Sequence, residues 1–464
     1  MTDERPTRPF DARRGQLQEA VRVELPASIE RLDWDTERLE QRQHDRLRRL
    51  LRHAIRHSPF HRSRLEGLDV DRFEPPDLAG LPVMTKSEMM DHLADVYTDR
   101  RLSPALVEEA LAATVDEPVP ILDEYVALGT GGSSGRRATV VSDAEASVAF
   151  VCSLTRSLTA RLLAQGGPPP GGLPIAFVAA ASAVHATGSA PAWTVGGTLP
   201  FRFIGVPATL PLPRIVERLN HLDAPALAGY PTMLARLARE REAGRLRIAP
   251  RLITSTAETL SPGLRQAIGR GFEAPIVDLF GSTEGLVGAT RPDDDVLAFN
   301  SDVCIAEPVD EDGRPVPPGV PSAKVLITNL SNHVQPLIRY EMLDSFVIRS
   351  GGSNDGFLHA TVEGRCDDVL HWPGVDVHPL VVRHVFITTP EVLAYQVRQT
   401  PRGIAVDVLA SAVPDLSALP ALRARLALAL EEAGLTEPQI VVRPVESFDR
   451  HPETAKLRRF VPLS

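Results

Sequence analysis

Short apolar segments alternate with helix-like segments through the middle of the chain, and this alternation limits the fold more than any other feature. The strand-like runs are Val126–Leu128, Thr139–Val141, Ile175–Val178, Leu252–Thr254 and Ile276–Phe280. Helical patterns separate several of them, one beginning at Ser142 and others over Pro213–Leu219 and Thr232–Glu242. Strands that alternate with helices form largely parallel sheets. We therefore predict an α/β fold with mixed, mainly parallel sheets.

The texture of the sequence changes twice in its second half. After about Ala298, short β-like runs are separated by turn signals such as Asp312-Gly313 and Pro317-Pro318-Gly319. The last 100 residues form a compact segment of α+β pattern. We predict a large N-terminal domain over residues 1–364 and a small C-terminal domain over residues 365–464.

Two helices have recognisable sequence signals. Residues 35–62 carry leucines at helical spacing among charges of both signs, which indicates an amphipathic helix with a solvated face rather than a nucleic-acid patch. The tetrapeptide Ser142-Asp-Ala-Glu145 matches a capping box, in which the serine accepts from a backbone N–H and the glutamate reaches back. We expect Ser142 to cap a helix.

Composition argues against several classes of protein. The 464 residues include 60 acidic and 50 basic side chains, and the formal net charge of −10 disfavours binding to nucleic acids or anionic membranes. Cys152, Cys304 and Cys366 are too far apart for a CxxC motif and suit a reducing cytosol. The N-terminus lacks the apolar core of a secretory signal, and the longest apolar stretch, Leu173–Val184, is too short to span a membrane. We expect a cytoplasmic protein.

Lysine is rare in this chain. Only Lys86, Lys324 and Lys456 occur among the 50 basic residues. Where arginine serves for nearly every other cation, a retained lysine indicates a position that favours a compact ammonium over a planar guanidinium. Lys456 lies in the segment Thr454-Ala-Lys456-Leu-Arg458-Arg459, near the C-terminal end.

Two glycine-containing segments have the composition of a phosphate site. Residues 128–137 are rich in glycine and hydroxyl side chains, which bring donors close to a phosphate, although the lysine of a Walker A loop is absent. Val277–Gly285 ends a predicted strand with an aromatic residue, a tight turn, a hydroxyl and a carboxylate, at the sheet edge where α/β proteins bind ligands. Alone, each is explained at least as well by an ordinary turn.

Three further motifs follow in order: Arg339-Tyr340-x-x-x-Asp344, Gly364-Arg365-x-Asp367-Asp368 and the segment around Lys456. Each is ordinary by itself. Together with the two glycine-containing segments, their order and spacing resemble the signature of the adenylate-forming ligases, the acyl- and aryl-CoA synthetases, over the whole chain. The segments that make the resemblance strongest to the phenylacetate–CoA ligase branch are Leu81–Lys86, Ala228–Thr232 and Val316–Gly319.

The resemblance implies an AMP-forming acid–thiol ligase. A small carboxylic acid, expected to be aromatic, attacks the α-phosphate of ATP with Mg²⁺ present, and an acyl-adenylate and pyrophosphate form. The thiol of coenzyme A then displaces AMP. The implied fold is a large ATP- and acid-binding domain followed by a mobile lid domain, and a homodimer is the expected assembly.

The same resemblance assigns binding roles to individual residues. The β- and γ-phosphates would lie in the loop of Thr130, Gly131, Gly132, Ser133, Ser134 and Gly135. The turn beside adenine would consist of Thr256, Ala257 and Glu258. The purine would stack near Phe280, followed by Gly281 and Ser282, and the ribose hydroxyls would bind Asp344, with Arg365 nearby.

Three residues would carry the chemistry and one the domain movement. Thr283 would contact the α-phosphate and Glu284 would bind Mg²⁺. Lys456 would bridge the acid and the α-phosphate as negative charge develops. Asp367 would be the hinge about which the C-terminal domain rotates to replace Lys456 with a thioester-forming face.

The sequence departs from the family pattern at three places. Arg136-Arg137 stands where Lys-Pro is preferred, Tyr-Glu-Met-Leu-Asp at 340–344 stands where Tyr-Arg-Thr-Gly-Asp is usual, and Ala455 replaces a glycine. The second departure puts the local turn geometry and the second half-reaction in doubt. None removes a group that adenylation needs.

Alternatives to coenzyme A transfer remain open at this point. The acceptor could be the thiol of a separate carrier protein, an amine or another nitrogen nucleophile in a biosynthetic pathway. A nucleotide-binding regulatory relative without catalysis is disfavoured, because Glu284, Asp344 and Lys456 are retained together. The acid pocket is expected between Val184 and Phe203 and around Gly229–Thr232, with His185, Trp193 and Phe201 as candidate lining residues.

Overall fold

The computed structural model describes residues 9–129, 138–180, 182–196, 198–349, 355–365, 370–377, 381–382, 385–386, 389, 392, 395–409, 419–450 and 457–463. Its α-helices are α1 Pro9–Glu30, α2 Thr36–His57, α3 Pro59–Arg64, α4 Lys86–Asp91, α5 Leu93–Val96, α6 Pro104–Ala113, α7 Ala144–Ala164, α8 Ala186–Thr194, α9 Leu212–Leu222, α10 Pro231–Glu242, α11 Pro262–Phe272 and α12 Leu419–Glu432. Short 3₁₀ helices cover Arg31–Asp33 and Pro75–Gly80.

The strands of the same ranges follow in chain order. They are β1 Val126–Gly129, β2 Thr139–Ser142, β3 Leu173–Ala179, β4 Phe201–Pro207, β5 Ala226–Gly229, β6 Leu252–Thr256, β7 Ile276–Gly281, β8 Val287–Thr290, β9 Leu297–Phe299, β10 Cys304–Val309, β11 Lys324–Asn329, β12 Tyr340–Met342, β13 Asp344–Ile348, β14 His359–Arg365, β15 Leu370–Trp372, β16 Val375–Val377, β17 Tyr395–Thr400, β18 Gly403–Leu409, β19 Gln439–Val445 and β20 Phe460–Val461.

The predicted α/β class is confirmed by a nine-stranded mixed sheet. Its strand order is β13-β14-β9-β8-β7-β6-β5-β3-β4. The five strands β3, β4, β5, β6 and β7 run parallel, and the remaining pairs of neighbours in this sheet are antiparallel. Helix α10 connects β5 to β6 and α11 connects β6 to β7, and the two helices pack on each other. These crossovers bring the carboxyl ends of β5, β6 and β7 to one edge of the sheet.

The amphipathic segment forms two helices rather than one. Its buried side chains are Leu39, Leu47, Leu50, Leu51 and Ala54 of α2, as helical spacing predicts. Ser58 then adopts an extended conformation, and its hydroxyl caps α3 by accepting from the backbone N–H of His61. The proline that follows Ser58 favours this restart, because proline suits the first turn of a helix.

The predicted capping box at Ser142 is wrong by one residue. Ser142 ends β2, and Asp143 caps α7 by accepting from the N–H of Ala146 at 2.8 Å. The Glu145 carboxylate does not reach back to the cap, because it pairs with Arg46 and Arg49 of α2. An ionised carboxylate gains more from two guanidinium partners than from one backbone donor.

The described part of the last hundred residues has a core of its own. Strands β19, β18, β17 and β20 form one sheet, and α12 packs on it through Leu422, Leu426 and Leu430. The apolar cluster beneath contains only residues from Leu370 onward. This arrangement is a smaller C-terminal domain of α+β type. The exact boundary stays a prediction, and Arg365 still pairs with β13 of the large sheet.

None of the helices in the described ranges is both long and apolar enough to cross a membrane.

Candidate active site

The carboxyl ends of three parallel strands place most of the described candidate residues together. Gly229 of β5 lies opposite Ser255 of β6, and Ser255 lies opposite Asp278 of β7. The segments that leave these strands therefore start at the same level of the sheet. They carry Thr232 after β5, Glu258 after β6, and the turn of Thr283 and Glu284 after β7.

The turn after β7 is held by its own hydrogen bonds. Ser282 accepts from Leu286 N–H through its hydroxyl at 3.2 Å, and its backbone N–H donates to Leu286 O. Gly285 has φ +109°, and a Cβ at this position would lie 2.2 Å from the Asn329 side-chain nitrogen. The hydroxyl of Ser282, predicted to contact the nucleotide, thus shapes the turn that presents Thr283 and Glu284.

A buried segment, Asn329–Gln335, connects this turn to the flank of the predicted phosphate loop. Asn329 donates to the carbonyl of Glu284 at 2.8 Å and accepts from the N–H groups of Ser331 and Asn332. Asn332 donates to Val141 O of β2, while Gln335 accepts from Val141 N–H at 2.7 Å and donates to Thr139 O at 3.0 Å. One polar segment therefore fixes both the metal-binding candidate and β2.

The phosphate loop itself, Thr130 to Gly135, lies outside the described residues. Its flanks are described: Gly129 at the end of β1 lies opposite Thr139 at the start of β2, in an antiparallel pair. Gly129 also donates to Val184 O at 2.8 Å. The roles assigned to the loop residues stay predictions.

Phe280 has aromatic neighbours within the protein. Its ring lies edge-to-face with Phe299 and Phe346, with centroids 5.6 Å away in each case. The residue is only partly buried, so part of the ring remains exposed. The predicted contact with the purine stays a prediction.

Asp278 lies two residues before Phe280 on the same face of β7, and it is largely buried. Its Oδ1 accepts from the Ser255 hydroxyl at 2.8 Å. Burial raises the pKa of Asp278 to about 6, against the smaller opposing effects of Ser255 and Arg265. No role for this carboxylate followed from the sequence.

The turn after β6, which is predicted to lie beside adenine, contains a residue in the left-handed conformation. Ala257 has φ +65°, in the left-handed region that glycine enters without steric cost. The Thr256 hydroxyl donates to Leu279 O at 2.8 Å and so links β6 to β7. Glu258 is 6% exposed, and its Oε2 accepts from the Thr232 hydroxyl at 2.6 Å.

The two ribose candidates are brought together. Asp344 begins β13 and lies directly opposite Arg365, at the end of β14. The unusual Glu341 between Tyr340 and Asp344 pairs with Lys324 at 2.9 Å. An ion pair across β11 and β12 thus accommodates this departure from the family pattern and gives Lys324 a structural partner.

The arginine of the same motif has a structural role. Arg339 is buried at φ +50°, and its guanidinium binds Glu307 at 3.0 Å and the carbonyls of Ala79 and Leu81 at 3.0 and 2.6 Å. It ties the first hundred residues to β10. Because its guanidinium is bound by protein groups, Arg339 supports the structure around the site and is not a candidate for binding a ligand.

The C-terminal domain contacts the same edge of the large sheet. Leu457 donates its backbone N–H to Glu258 Oε1 at 2.8 Å, and Arg450 donates to the Thr232 hydroxyl at 3.0 Å. Arg450 and Leu457 are paired by an antiparallel bridge, and we use the name tail loop for residues 450–457, of which only these two ends are described. Lys456, which precedes Leu457 in the sequence, and the hinge candidate Asp367 lie outside the described residues.

The candidate acid pocket is largely filled by packing. Phe201 is fully buried, and Trp193 packs edge-to-face on Phe10. Tyr230 is also fully buried, and its hydroxyl accepts from the Ala180 N–H at 3.0 Å. Of the predicted lining residues, His185 is buried at the N-cap of α8.

A magnesium site of the expected kind fits the residues present. Mg²⁺ is usually bound through one or two carboxylates plus substrate phosphates rather than by a cage of protein ligands. Glu284 is partly exposed at the carboxyl edge of β7, beside the hydroxyl of Thr283. Accordingly, no group of three or more His, Cys, Asp or Glu residues suited to a metal occurs in the described part of the chain.

Sequence reasoning missed the residues that hold the site together. Asn329 and Gln335 are buried, Asp278 is partly buried, and the partners of all three come from other segments of the chain. A run of polar residues, Asn329-Leu-Ser-Asn-His-Val-Gln335, in an otherwise apolar stretch was the available signal, since buried polar side chains need partners. The contact of Thr232 with Arg450 gave no signal, because it joins two domains; the sequence placed Thr232 in the expected acid pocket.

Comparison with known proteins identifies the fold. A 2-hydroxyisobutyryl-CoA ligase in its postadenylation state, in complex with R3-HIB-AMP, matches with a TM-score of 0.66 at 18% identity, covering 93% of this chain and 91% of that one. In its thioesterification state, with 2-HIB-AMP and CoA, that ligase gives a TM-score of 0.54 at 18% identity, covering 92% and 91%. The anthranilate CoA ligase AuaEII, in complex with anthranoyl-AMP, gives 0.50 at 16% identity, covering 72% and 65%.

The chain therefore has the fold of the adenylate-forming acyl-CoA ligases. No protein-family model and no curated protein sequence matches it. The first two structures are of one ligase, so the difference between their scores reflects conformation. This chain agrees better with the postadenylation state.

Proposed function

We propose that this protein is an AMP-forming acid–thiol ligase that converts a small carboxylic acid to its coenzyme A thioester through an acyl-adenylate. We further propose that it is close to the phenylacetate–CoA ligase branch and that the acid is aromatic. The observation that carries the proposal is the contact of the tail loop with Glu258, at the sheet edge that also holds Thr283 and Glu284.

The proposed mechanism uses this edge in two steps. A carboxylate oxygen of the acid attacks the α-phosphorus of ATP, the bond to the bridging oxygen breaks, and pyrophosphate leaves. The thiolate of coenzyme A then attacks the acyl carbon, and AMP leaves with the carbon–oxygen bonding pair. Negative charge develops on the α-phosphate in the first step, where fixed cations and donors are most effective.

Each assigned residue has a defined part in the first step. The Thr283 hydroxyl would donate to an α-phosphate oxygen, and the ammonium of Lys456 would neutralise charge between that phosphate and the acid. Asp344 would accept from the ribose hydroxyls beside Arg365, and Phe280 would cover the purine. Glu284 would hold Mg²⁺, whose charge when bound neutralises the triphosphate.

The second step requires a different face of the C-terminal domain. We propose that Asp367 is the hinge and that residues 365–464 rotate about it after adenylation. The independent core of the C-terminal domain supports a rigid-body movement of this kind. This chain agrees better with the postadenylation state of the compared ligase than with its thioesterification state, which supports assigning the described domain contacts to the adenylation half of the cycle.

The test is a panel of acids scored by pyrophosphate exchange and by thioester formation. Benzoic, phenylacetic, 2-aminobenzoic and 2-hydroxyisobutyric acids are incubated with ATP, Mg²⁺ and labelled pyrophosphate, then with coenzyme A. At least one acid is expected to support exchange and to yield AMP and an acyl-CoA, with aromatic acids leading. Nucleotide binding without exchange by any acid in a broad panel would contradict the proposal and favour a regulatory relative.

The same assay separates the acceptors. Acyl-AMP that forms in a burst and is not discharged by coenzyme A would point to a carrier-protein thiol or a nitrogen nucleophile. Adding hydroxylamine, a general nitrogen nucleophile, would then release the trapped acyl group.

A further inference from the structure

Glu258 lies at the contact between the two domains, and its carboxylate has partners on both sides. Its Oε2 accepts from the hydroxyl and the N–H of Thr232, at 2.6 and 3.3 Å, on the large domain. Its Oε1 accepts from the N–H of Leu457 at 2.8 Å and lies 3.7 Å from the Arg450 guanidinium, on the C-terminal domain. We call these four residues the Glu258 latch.

Arg450 closes the latch into a small network. Its guanidinium donates to the Thr232 hydroxyl at 3.0 Å, and that hydroxyl in turn donates to Glu258. The side chain of Glu258 is 6% exposed and that of Arg450 is 16% exposed, so the network is largely shielded from water. Hydrogen bonds to a charged group are stronger than neutral ones, and shielding strengthens them further.

The base of the tail loop is fixed within the C-terminal domain. Gln396, buried on β17, donates to the carbonyls of Asp449 and Arg458, at 3.1 and 2.9 Å. Both ends of the loop that carries Lys456 are therefore tied to one sheet. A contact at Leu457 thus fixes the position of the whole C-terminal sheet against the large domain.

The family resemblance places Glu258 beside adenine, whereas in the structure its carboxylate is bound by protein groups. Both oxygens already accept hydrogen bonds from protein groups. When the C-terminal domain rotates, Oε1 loses Leu457 and Arg450, whereas Oε2 keeps both bonds to Thr232. The carboxylate stays anchored, and only its bond across the domains is made and broken.

We propose that Glu258 is a positioning residue that holds the tail loop, and with it Lys456, in place during adenylation and releases it for thioester formation. This inference rests on the proposed two-step function. A charge-assisted hydrogen bond changes an equilibrium roughly ten- to a hundredfold. Loss of the latch should lower the docking equilibrium constant by about that factor, and the docked fraction and the adenylation rate should fall with it.

The half-reactions of Glu258→Ala test the proposal. The kcat of pyrophosphate exchange should fall about ten- to a hundredfold while the KM for ATP stays within about twofold. Discharge by coenzyme A of the synthetic adenylate of the best acid in the panel should be unchanged or faster. Glu242→Ala, at the exposed far end of α10, is the matched control and should alter neither half-reaction.

Two further variants guard against a folding defect. Glu258→Gln keeps one acceptor oxygen, which can serve Leu457, and should restore part of the exchange rate, although the charge and the second acceptor are lost. Arg450→Gln leaves the large domain untouched and should lower exchange in the same direction by a smaller factor. Equal losses in both half-reactions with a lowered melting temperature would overturn the proposal, as would a raised KM for ATP at unchanged kcat.

Hydrogen exchange distinguishes a failed latch from a failed function. In the full-length protein without substrates, the amide of Leu457 should exchange at least about tenfold faster in Glu258→Ala than in the native sequence or in Glu242→Ala. This readout does not require any acid to be a substrate. An unchanged hydrogen-exchange rate at the Leu457 amide would overturn the latch, even if pyrophosphate exchange establishes the function. Faster hydrogen exchange at this amide in a protein that adenylates no acid would support the latch and overturn only the proposed function.

Discussion

At the scale of single residues, backbone conformation explains positions that side-chain chemistry alone does not. Ala257 has a φ of +65°, a left-handed conformation that glycine adopts more readily than alanine. Position 285 requires glycine because the side chain of Asn329 occupies the space where a Cβ would lie. The resemblance placed Ala257 in a turn but did not predict its conformation, and the requirement for glycine at position 285 depends on a neighbour 44 residues away.

Gly285→Ala should destabilise the protein and misplace Glu284. A Cβ would lie 2.2 Å from the Asn329 nitrogen, at a φ of +109° that alanine rarely adopts. We expect the free energy of unfolding to fall by at least about 2 kcal/mol, measured by urea denaturation. Gly313→Ala is the control, because its φ is +82° but nothing lies within 4 Å, so it incurs backbone strain alone. Equal effects of the two substitutions would contradict this account.

The buried carboxyl of Asp278 predicts a pH-dependent stability. Its folded pKa of about 6 exceeds the ordinary value of 3.8, so the folded state binds the proton more tightly and is destabilised as the pH rises through this interval. In Asp278→Asn the pH-dependent cost is absent. The stability difference, variant minus native, should therefore increase by about 2 kcal/mol between pH 4 and pH 8.

Urea denaturation at several pH values measures this difference. The slope with pH is informative even if asparagine packs slightly worse than aspartate, because packing does not titrate. Asp116→Asn, on an exposed bend, should give a difference that hardly varies with pH. A flat difference for Asp278→Asn as well would show that its carboxyl is not held in an apolar setting.

At the scale of elements, the sequence predicted what is local and missed what is not. Strands β6 and β7 were predicted as apolar runs, whereas β5, which helps to position the site with them, was not predicted. The extension of the sheet through β8, β9, β14 and β13 was not predicted, because strand partners are chosen by tertiary packing rather than by local pattern. Helix α1 was also missed, although Leu17, Val21 and Leu25 recur every four residues and are buried.

The segment Asn329–Gln335 should act as a single support for the site. In Gln335→Leu, the N–H of Val141 and the carbonyl of Thr139 lose buried partners at nearly constant side-chain volume. We expect the free energy of unfolding to fall by about 2–4 kcal/mol and the KM for ATP to rise, because β2 follows the predicted phosphate loop in the sequence. Gln41→Leu, on the exposed face of α2, should change both by little. Unchanged stability in Gln335→Leu would show that β2 does not depend on this segment.

At the scale of the whole molecule, two separately cored domains meet at the carboxyl edge of one sheet. The resemblance to the adenylate-forming ligases implied such a meeting, because it assigned Glu284 of the large domain and Lys456 of the C-terminal domain to one site; the position of Lys456 stays a prediction. The sequence could not show which residues hold the two domains together, because the contacts of the Glu258 latch join residues that lie far apart in the chain and form no local sequence pattern. The departure at Glu341 was likewise explained only by its partner, Lys324.

Pyrophosphate exchange by Lys456→Ala tests the central claim most directly. With the best acid of the panel, exchange should fall at least about a hundredfold, as loss of one fixed transition-state partner does, while ATP affinity by titration calorimetry stays within about threefold. Lys324→Ala, which removes an ammonium already paired with Glu341, should retain most of the native rate. Native-rate exchange by Lys456→Ala would contradict the claim that the C-terminal domain supplies the cation for adenylation.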